Sequence, residues 1–154
     1  MSPPIQPETQ RRINEHLLAY WEGLRGDRAF PSEREINPND IADIWSACFL
    51  IKLHDGDSPE KQYRYSYLGP LLIEAYCDDL TGQEVCDALI SPSNESLVKK
   101  IDEVAHHGVP VVEESEFTNR RGMVIKYRTC LLPLGDAASK KVSYVIGGMK
   151  WKLF

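Results

Sequence analysis

The stretch Tyr65–Val85, YSYLGPLLIEAYCDDLTGQEV, changes character twice. Tyr63, Tyr65 and Tyr67 alternate with Arg64 and Ser66, and in an extended chain that spacing puts the three tyrosines on one face. Gly69-Pro70 stops the alternation, an apolar run follows, and the adjacent Asp78 and Asp79 precede Leu-Thr-Gly. The order predicts a strand that feeds one or two short helical turns. The two acids admit three roles: capping those turns, contacting a metal, or recognising a ligand. Capping and solvation is the expected role, because no third acid stands nearby at the spacing a cation site needs.

Working outward, a helix is signalled from Glu8 to about Arg25, with Ile13, Leu17, Trp21 and Leu24 along one stripe. Residues 1–7, Pro-rich and polar, are expected to be flexible. Asn37-Pro38 with Asp40 starts a second, short helix whose apolar face is Ile41, Ile44 and Trp45. Ala47–His54 is an apolar strand, and a turn at Asp55–Pro59 joins it to the tyrosine strand. Beyond the quoted stretch a short helix is expected around Gln83–Leu89. The clearest helix then runs from Ser93 to His107, with a stripe of Leu97, Ile101, Val104 and Ala105, and it stops at Gly108 and Pro110. Three strands close the chain: Val109–Thr118, Met123–Leu134 after a turn at Asn119–Gly122, and Val142–Trp151. In the second of these Met123, Ile125, Tyr127, Thr129 and Leu131 alternate with outward Lys126 and Arg128.

A length of 154 residues suits one domain, 8–154, able to bury about two thirds of its unfolded surface. A net charge of −5 and only scattered basic pairs argue against a nucleic-acid partner. No apolar run approaches the ~20 residues that span a bilayer, and no signal peptide is evident. Cys48, Cys77, Cys86 and Cys130 form no C-x-x-C pair, and in a reduced cytoplasmic chain they are expected to be small buried hydrophobes. No nucleotide-binding glycine loop, nucleophile elbow or zinc-protease motif is present. Gly147-Gly148 falls inside a strand, where glycine permits close backbone approach.

Strands and helices that segregate along the chain imply an α+β fold with an antiparallel sheet. Five strands with a helical crossover after the second resemble the PAS sensor domain, and the small single-domain PAS-like proteins of alphaproteobacteria most of all. The blocks that carry the likeness are LLAYWEGLRGDRAFPSEREINPNDI, YRYSYLG, DDLTGQEV, HHGVPV and LLPLGD. The resemblance implies a five-stranded sheet whose helical crossover walls a pocket, preceded here by an extra N-terminal helix. It also raises three cofactors. Flavin photosensors of this fold carry an Asn-Cys-Arg motif that Cys77 and Cys86 lack. Haem-binding members use a histidine of the long helix, but His106 and His107 stand in its last turn, where they suit the exposed carbonyls. Nothing marks Cys48 or Cys130 for a chromophore thioester. No cofactor is therefore expected, and the protein should be colourless.

Tyr65, Tyr67, Leu72, Tyr76, Leu89, Ile101, Phe117, Tyr127 and Thr129 are the candidate pocket residues, a wall with apolar area and hydroxyls to orient a small ligand. The same residues also suit a solid core. Glu113 alternates with Ser115 and Phe117 away from Glu114 and Glu116. An exposed acid is the reading taken for it, with a buried recognition group as the alternative. The leading functional expectation is a non-enzymatic sensory or protein-interaction module of cytoplasmic signal transduction, acting through a signalling partner. The alternatives are a small enzyme with Glu113 or Asp78/Asp79 as acid or base, and a subunit of a larger complex. One buried acid beside a tyrosine would favour the enzyme. Ile13, Leu17, Trp21 and Leu24 are expected to cover Leu132, Val145, Met149 and Trp151 on the second sheet face, either of the chain's own sheet or of a second copy, and homodimerisation through this helix is the reading taken.

Overall fold

A computed structural model describes residues 7–53, 63–85 and 95–153. Helix α1 (Pro7–Arg25) leads through three 3-10 turns to strand β1 (Cys48–Leu53). Then come β2 (Tyr63–Leu68), α2 (Pro70–Tyr76), α3 (Glu95–His107), β3 (Val111–Thr118), β4 (Val124–Asp136) and β5 (Lys141–Leu153). The strands form one sheet in the order β2-β1-β5-β4-β3, and every pair is antiparallel. The last strand thus lies at the centre, beside the first. Local signals start and stop the elements as expected. Asn37 caps its turn by accepting from Asn39 N (3.1 Å) with Pro38 at the first helical position, and Gly108 ends α3 in the left-handed region. Around Gln83, however, the chain first runs beside β2 and turns helical only at Val85. Gly82 N donates to Tyr65 O (2.7 Å) and Tyr65 N to Gln83 O (3.1 Å), which shields an otherwise open strand edge. The remainder of that expected helix, Leu89 included, lies outside the described residues.

Both faces of the sheet carry helical cover, the outer one only in part. On the inner face α2 and α3 lay Leu72, Tyr76, Leu97, Ile101 and Val104 over Phe49, Ile51, Tyr65, Ile125, Tyr127 and Leu131. On the outer face α1 and the 3-10 turns lay Ile13, Leu17, Trp21, Phe30, Ile41 and Ile44 over Cys48, Cys130, Leu132, Leu134 and Ile146. The N-terminal stripe therefore covers the chain's own sheet. Ile13, Leu17 and Trp21 are buried and Leu24 is half-buried. Ile13, Leu17 and Trp21, offered as a homodimer surface, are already spent inside the chain.

Two expectations about faces are corrected. Leu132 lies under α1, but Val145, Met149 and half-buried Trp151 belong to the inner face. Leu132 pairs directly with Ile146. Residues opposite one another in a ladder share a face, so the neighbours of Ile146 must turn the other way. Tyr67 likewise does not join Tyr63 and Tyr65. The β1–β2 register sets Leu50 against Tyr67 and Ile51 against Tyr65, with Ser66 bulged out between them. One extra residue reverses the alternation. Tyr67 consequently stacks on Trp45 on the outer side, with ring centroids 4.3 Å apart, and its hydroxyl donates to Trp45 O (3.0 Å).

The two glycines in β5 serve close approach on opposite faces. A Cβ on Gly147 would stand 2.2 Å from the Phe49 ring, and one on Gly148 would stand 2.8 Å from Ile13 Cγ2. Pro133, unusual inside a long strand, lies where β4 runs past the start of β3 at the Val111–Leu131 pair. Its missing N–H breaks no ladder bond there. Its carbonyl accepts the buried Trp21 indole N–H (2.8 Å), and Gly135 N donates to Pro31 O (3.0 Å) on the same open edge.

Candidate functional site

The inner face concentrates the aromatic chemistry of the chain. Tyr65 and Tyr76 hold their hydroxyls 3.5 Å apart. Tyr76 stacks on Phe117 with centroids 4.8 Å apart, and Phe117 leans on Tyr127 at 5.7 Å. Phe49 meets the edge of Tyr65. Leu72 and Ile101 close the wall from α2 and α3. Six of the nine expected pocket residues thus fall into one contiguous cluster: Tyr65, Leu72, Tyr76, Ile101, Phe117 and Tyr127. Thr129 is buried beside them, but its hydroxyl is already committed to Gly148 O (2.6 Å). Tyr67 sits on the other face, and Leu89 is outside the described residues.

Glu113 departs from the exposed acid expected of it. It is 2% exposed. Its position in β3 pairs it with Thr129, while Tyr127 pairs with Ser115. Glu113 and Tyr127 are therefore diagonal neighbours on one face, and the acid helps to raise the Tyr127 hydroxyl's pKa. The alternation of Glu113 with Ser115 and Phe117 indicated this side. Only the packing of α3 over β3 removed that side from water.

The tyrosines respond to this setting. Burial pushes the Tyr65 hydroxyl well above the ordinary phenol value, with Tyr76 as the next cause. It pushes Tyr76 up to about 12, and raises Tyr127 strongly, with the Glu113 charge as the second cause. An apolar enclosure disfavours the phenolate. At neutral pH these hydroxyls keep their protons, and those of Tyr65 and Tyr76 face each other. Farther along the wall, Tyr63 donates to Asp102 of α3 and ties the helix to the edge of the sheet.

Asp78 and Asp79 take no part in this cluster. Asp79 Oδ1 accepts from Thr81 N (3.0 Å) and Thr81 Oγ1 (2.6 Å), bonds that lower its pKa. Asp78 Oδ2 meets Arg120 Nε at 2.7 Å. They close a turn and tie down a loop. The neighbouring joint is built on Asn119, which sequence reasoning read only as a turn residue. Asn119 is buried; its side-chain amide donates to Ala75 O (3.0 Å), and its Oδ1 accepts from Arg121 N and Met123 N (3.0 Å each). It fastens the β3–β4 hairpin to the end of α2, where Cys77 adopts a left-handed cap.

No group of three His, Cys, Asp or Glu side chains among the described residues could hold a metal. His106 and His107 are exposed at the end of α3. Cys48 and Cys130 are buried under α1, and burial pushes the Cys130 thiol up to about 11 and Cys48 higher still, which leaves both inert. The described side chains do not fit a cysteine-linked flavin. Cys77 faces the Glu74 carbonyl and Asn119 at the end of α2. Among the described residues no helix is long and apolar enough to cross a membrane.

The sheet order, the helical crossover and the walled inner face define a PAS-type α+β domain. The profile of the PAS domain family matches residues 9–150, and the chain belongs to that family. Among solved structures the fold is similar to the Rhodobacter sphaeroides LOV protein, with a TM-score of 0.53 at 14% identity. That match covers 68% of this chain and 58% of the LOV protein, less than two thirds of its length. The dark structure of the blue-light photoreceptor Aureochrome1 LOV gives 0.52 at 13% identity, over 72% of this chain and 78% of that one. At such identities the likeness is one of fold. No curated protein matches the chain.

Proposed function

We propose that this PAS domain is a non-enzymatic sensory module of cytoplasmic signal transduction that takes a small ligand against its inner face and reports to a partner protein. The observation that carries this reading is membership of the PAS domain family over residues 9–150, with an inner face walled by Tyr65, Tyr76, Phe117 and Tyr127. Buried polar groups are costly unless satisfied, and a few convergent polar groups in an apolar setting are what orient a small molecule. The apolar stripe of α1 is occupied, so contact with a partner or a second copy falls to other surfaces.

The Glu113–Tyr127 pair also supports a second reading, a small enzyme with Glu113 as base. General acid–base groups work best with a pKa near the operating pH. Raised tyrosine hydroxyls are donors rather than bases, and Asp78 and Asp79 are engaged elsewhere. Glu113 buried near Tyr127 is the feature expected of an enzyme, and recognition is preferred to turnover because the chain belongs to the PAS domain family.

Native mass spectrometry of protein purified from its own host tests the proposal. A small molecule bound to the wild-type chain and lost from Glu113→Leu/Tyr127→Phe, with both proteins folded by circular dichroism, is the expected result. Wild-type protein that carries no small molecule would overturn the ligand reading. Release of a chemically altered molecule by wild type but not by Glu113→Gln would favour the enzyme.

A further inference from the structure

The outer face of the sheet carries a charge pattern opposite to that of the whole chain, whose net charge is −5. Two successive rows of the register read Glu114–Arg128–Lys150 and Glu116–Lys126–Lys152 across β3, β4 and β5. All six side chains are exposed, and Arg128 Nε lies 2.6 Å from Glu114 Oε1. Each row places its acid on the edge strand and sets two cations side by side on the inner strands. Like charges directly opposite in an antiparallel pair destabilise a sheet. Here the juxtaposition occurs twice running, Arg128 beside Lys150 and Lys126 beside Lys152.

An open groove of ≈ 410 Å³ follows this pattern, walled by five of the six charged side chains and floored by Ser115, Tyr127 and Trp151. One row nearer α1, the β3 position is Val112, which is 59% exposed. The groove thus joins four cations to an adjacent apolar contact on a face that α1 leaves uncovered.

We propose that this groove docks an extended, acidic segment of a partner protein with carboxylates at alternate positions. Lys150 and Lys152 are alternate residues of one strand and so stand about 6.7 Å apart. An extended segment repeats its own alternate side chains at the same spacing. Carboxylates on such a segment meet the two cation rows in turn, and an apolar residue next to them reaches Val112. A phosphate polymer fits less well. Glu114 lines the groove, and the chain's overall negative charge repels a long polyanion.

Fluorescence anisotropy with a fluorescein-labelled peptide of alternating glutamate and serine, added to the full chain, tests the proposal. Wild type should bind it, and binding should weaken as added salt screens the charges. Lys150→Glu/Lys152→Glu should bind about tenfold more weakly or worse, the size expected of two rim-charge reversals. Lys52→Glu/Lys99→Glu, which changes the total charge equally at exposed lysines elsewhere, should bind as wild type does. If the reversed variant melts early, Lys150→Gln/Lys152→Gln replaces it with the same expectation. No binding by wild type, equal loss in both charge-reversed variants, or equally tight binding of a single-stranded oligonucleotide would each overturn the proposal. The small-ligand reading is tested separately, since bound ligand in the native mass spectrum does not depend on Lys150 or Lys152.

Discussion

Ile13, Leu17, Trp21 and Ile146 on one side of the sheet, and Tyr65, Tyr76, Phe117 and Tyr127 on the other, are all buried, yet the two faces are built differently. Under α1 the contacts are largely aliphatic, glycine at 148 lets the helix come close, and the Trp21 indole is satisfied by a backbone carbonyl. Under α2 and α3 the contacts are aromatic, with hydroxyls and the Glu113 carboxylate among them. Similar burial therefore serves different ends. One face is a largely aliphatic seal, and the other encloses hydroxyls and an acid among its rings.

The largest effects should come from a charge placed in either cover. Ile101→Asp on the inner side and Leu17→Asp on the outer should each cost on the order of 5 kcal/mol or more, because each buries a charge without a partner. Both variants should fail to give a cooperative thermal transition. Wild-type melting of Leu17→Asp alone would break the symmetry and make α1 a detachable segment.

Next in size is Trp21→Ala, expected to lose about 3–5 kcal/mol in urea denaturation by leaving a cavity under the sheet and the Pro133 carbonyl without its donor. Trp21→Phe keeps most of the volume and should lose less. Equal losses would mean that the indole bond, and not the packing that Phe retains, holds this corner.

Gly148→Ala sharpens the contrast further. Its new Cβ would lie 2.8 Å from Ile13 Cγ2 and 3.2 Å from Asn14 Oδ1, so α1 must shift at a cost of about 1–3 kcal/mol. Truncating Ile13 as well should recover part of that loss, a coupling that a double-mutant cycle would measure.

The smallest effect separates the faces by pH. Tyr76 keeps its proton up to about 12 in the folded chain, against about 10 for the free group. Between those values the folded state binds more protons than the unfolded state. Stability therefore falls as pH rises, by up to ~1.4 kcal/mol per pH unit for one group. Denaturation midpoints followed from neutral to alkaline pH should slope less in Tyr76→Phe. An unchanged slope would detach Tyr76 from the alkaline loss of stability.

Much of this architecture was legible in the residues. The stripe from Ile13 to Leu24, the Asn37-Pro38 start, the Gly108 stop and the strand alternation around Tyr127 are local patterns that backbone geometry enforces, and they gave the elements in order. The likeness to PAS domains supplied the sheet. The candidate site was legible in part. Tyr65, Tyr76, Phe117 and Tyr127 lie together because alternation and the crossover bring them there. Tyr67 left the set because a bulge at Ser66 reversed the face of one residue, which period-two counting cannot detect.

By itself the sequence determined the class of fold, the order of its elements and the side of β3 to which Glu113 belongs, because those depend on periods of two and 3.6 residues read along the chain. Only the tertiary structure decided that Glu113 is buried against Tyr127, that α1 is spent on its own sheet, that Val145 and Met149 face inward, and that two rows of cations line one groove. Each of these depends on which strand lies beside which and on what covers it. Residues distant in the chain set those conditions through register and packing, and no local pattern records them.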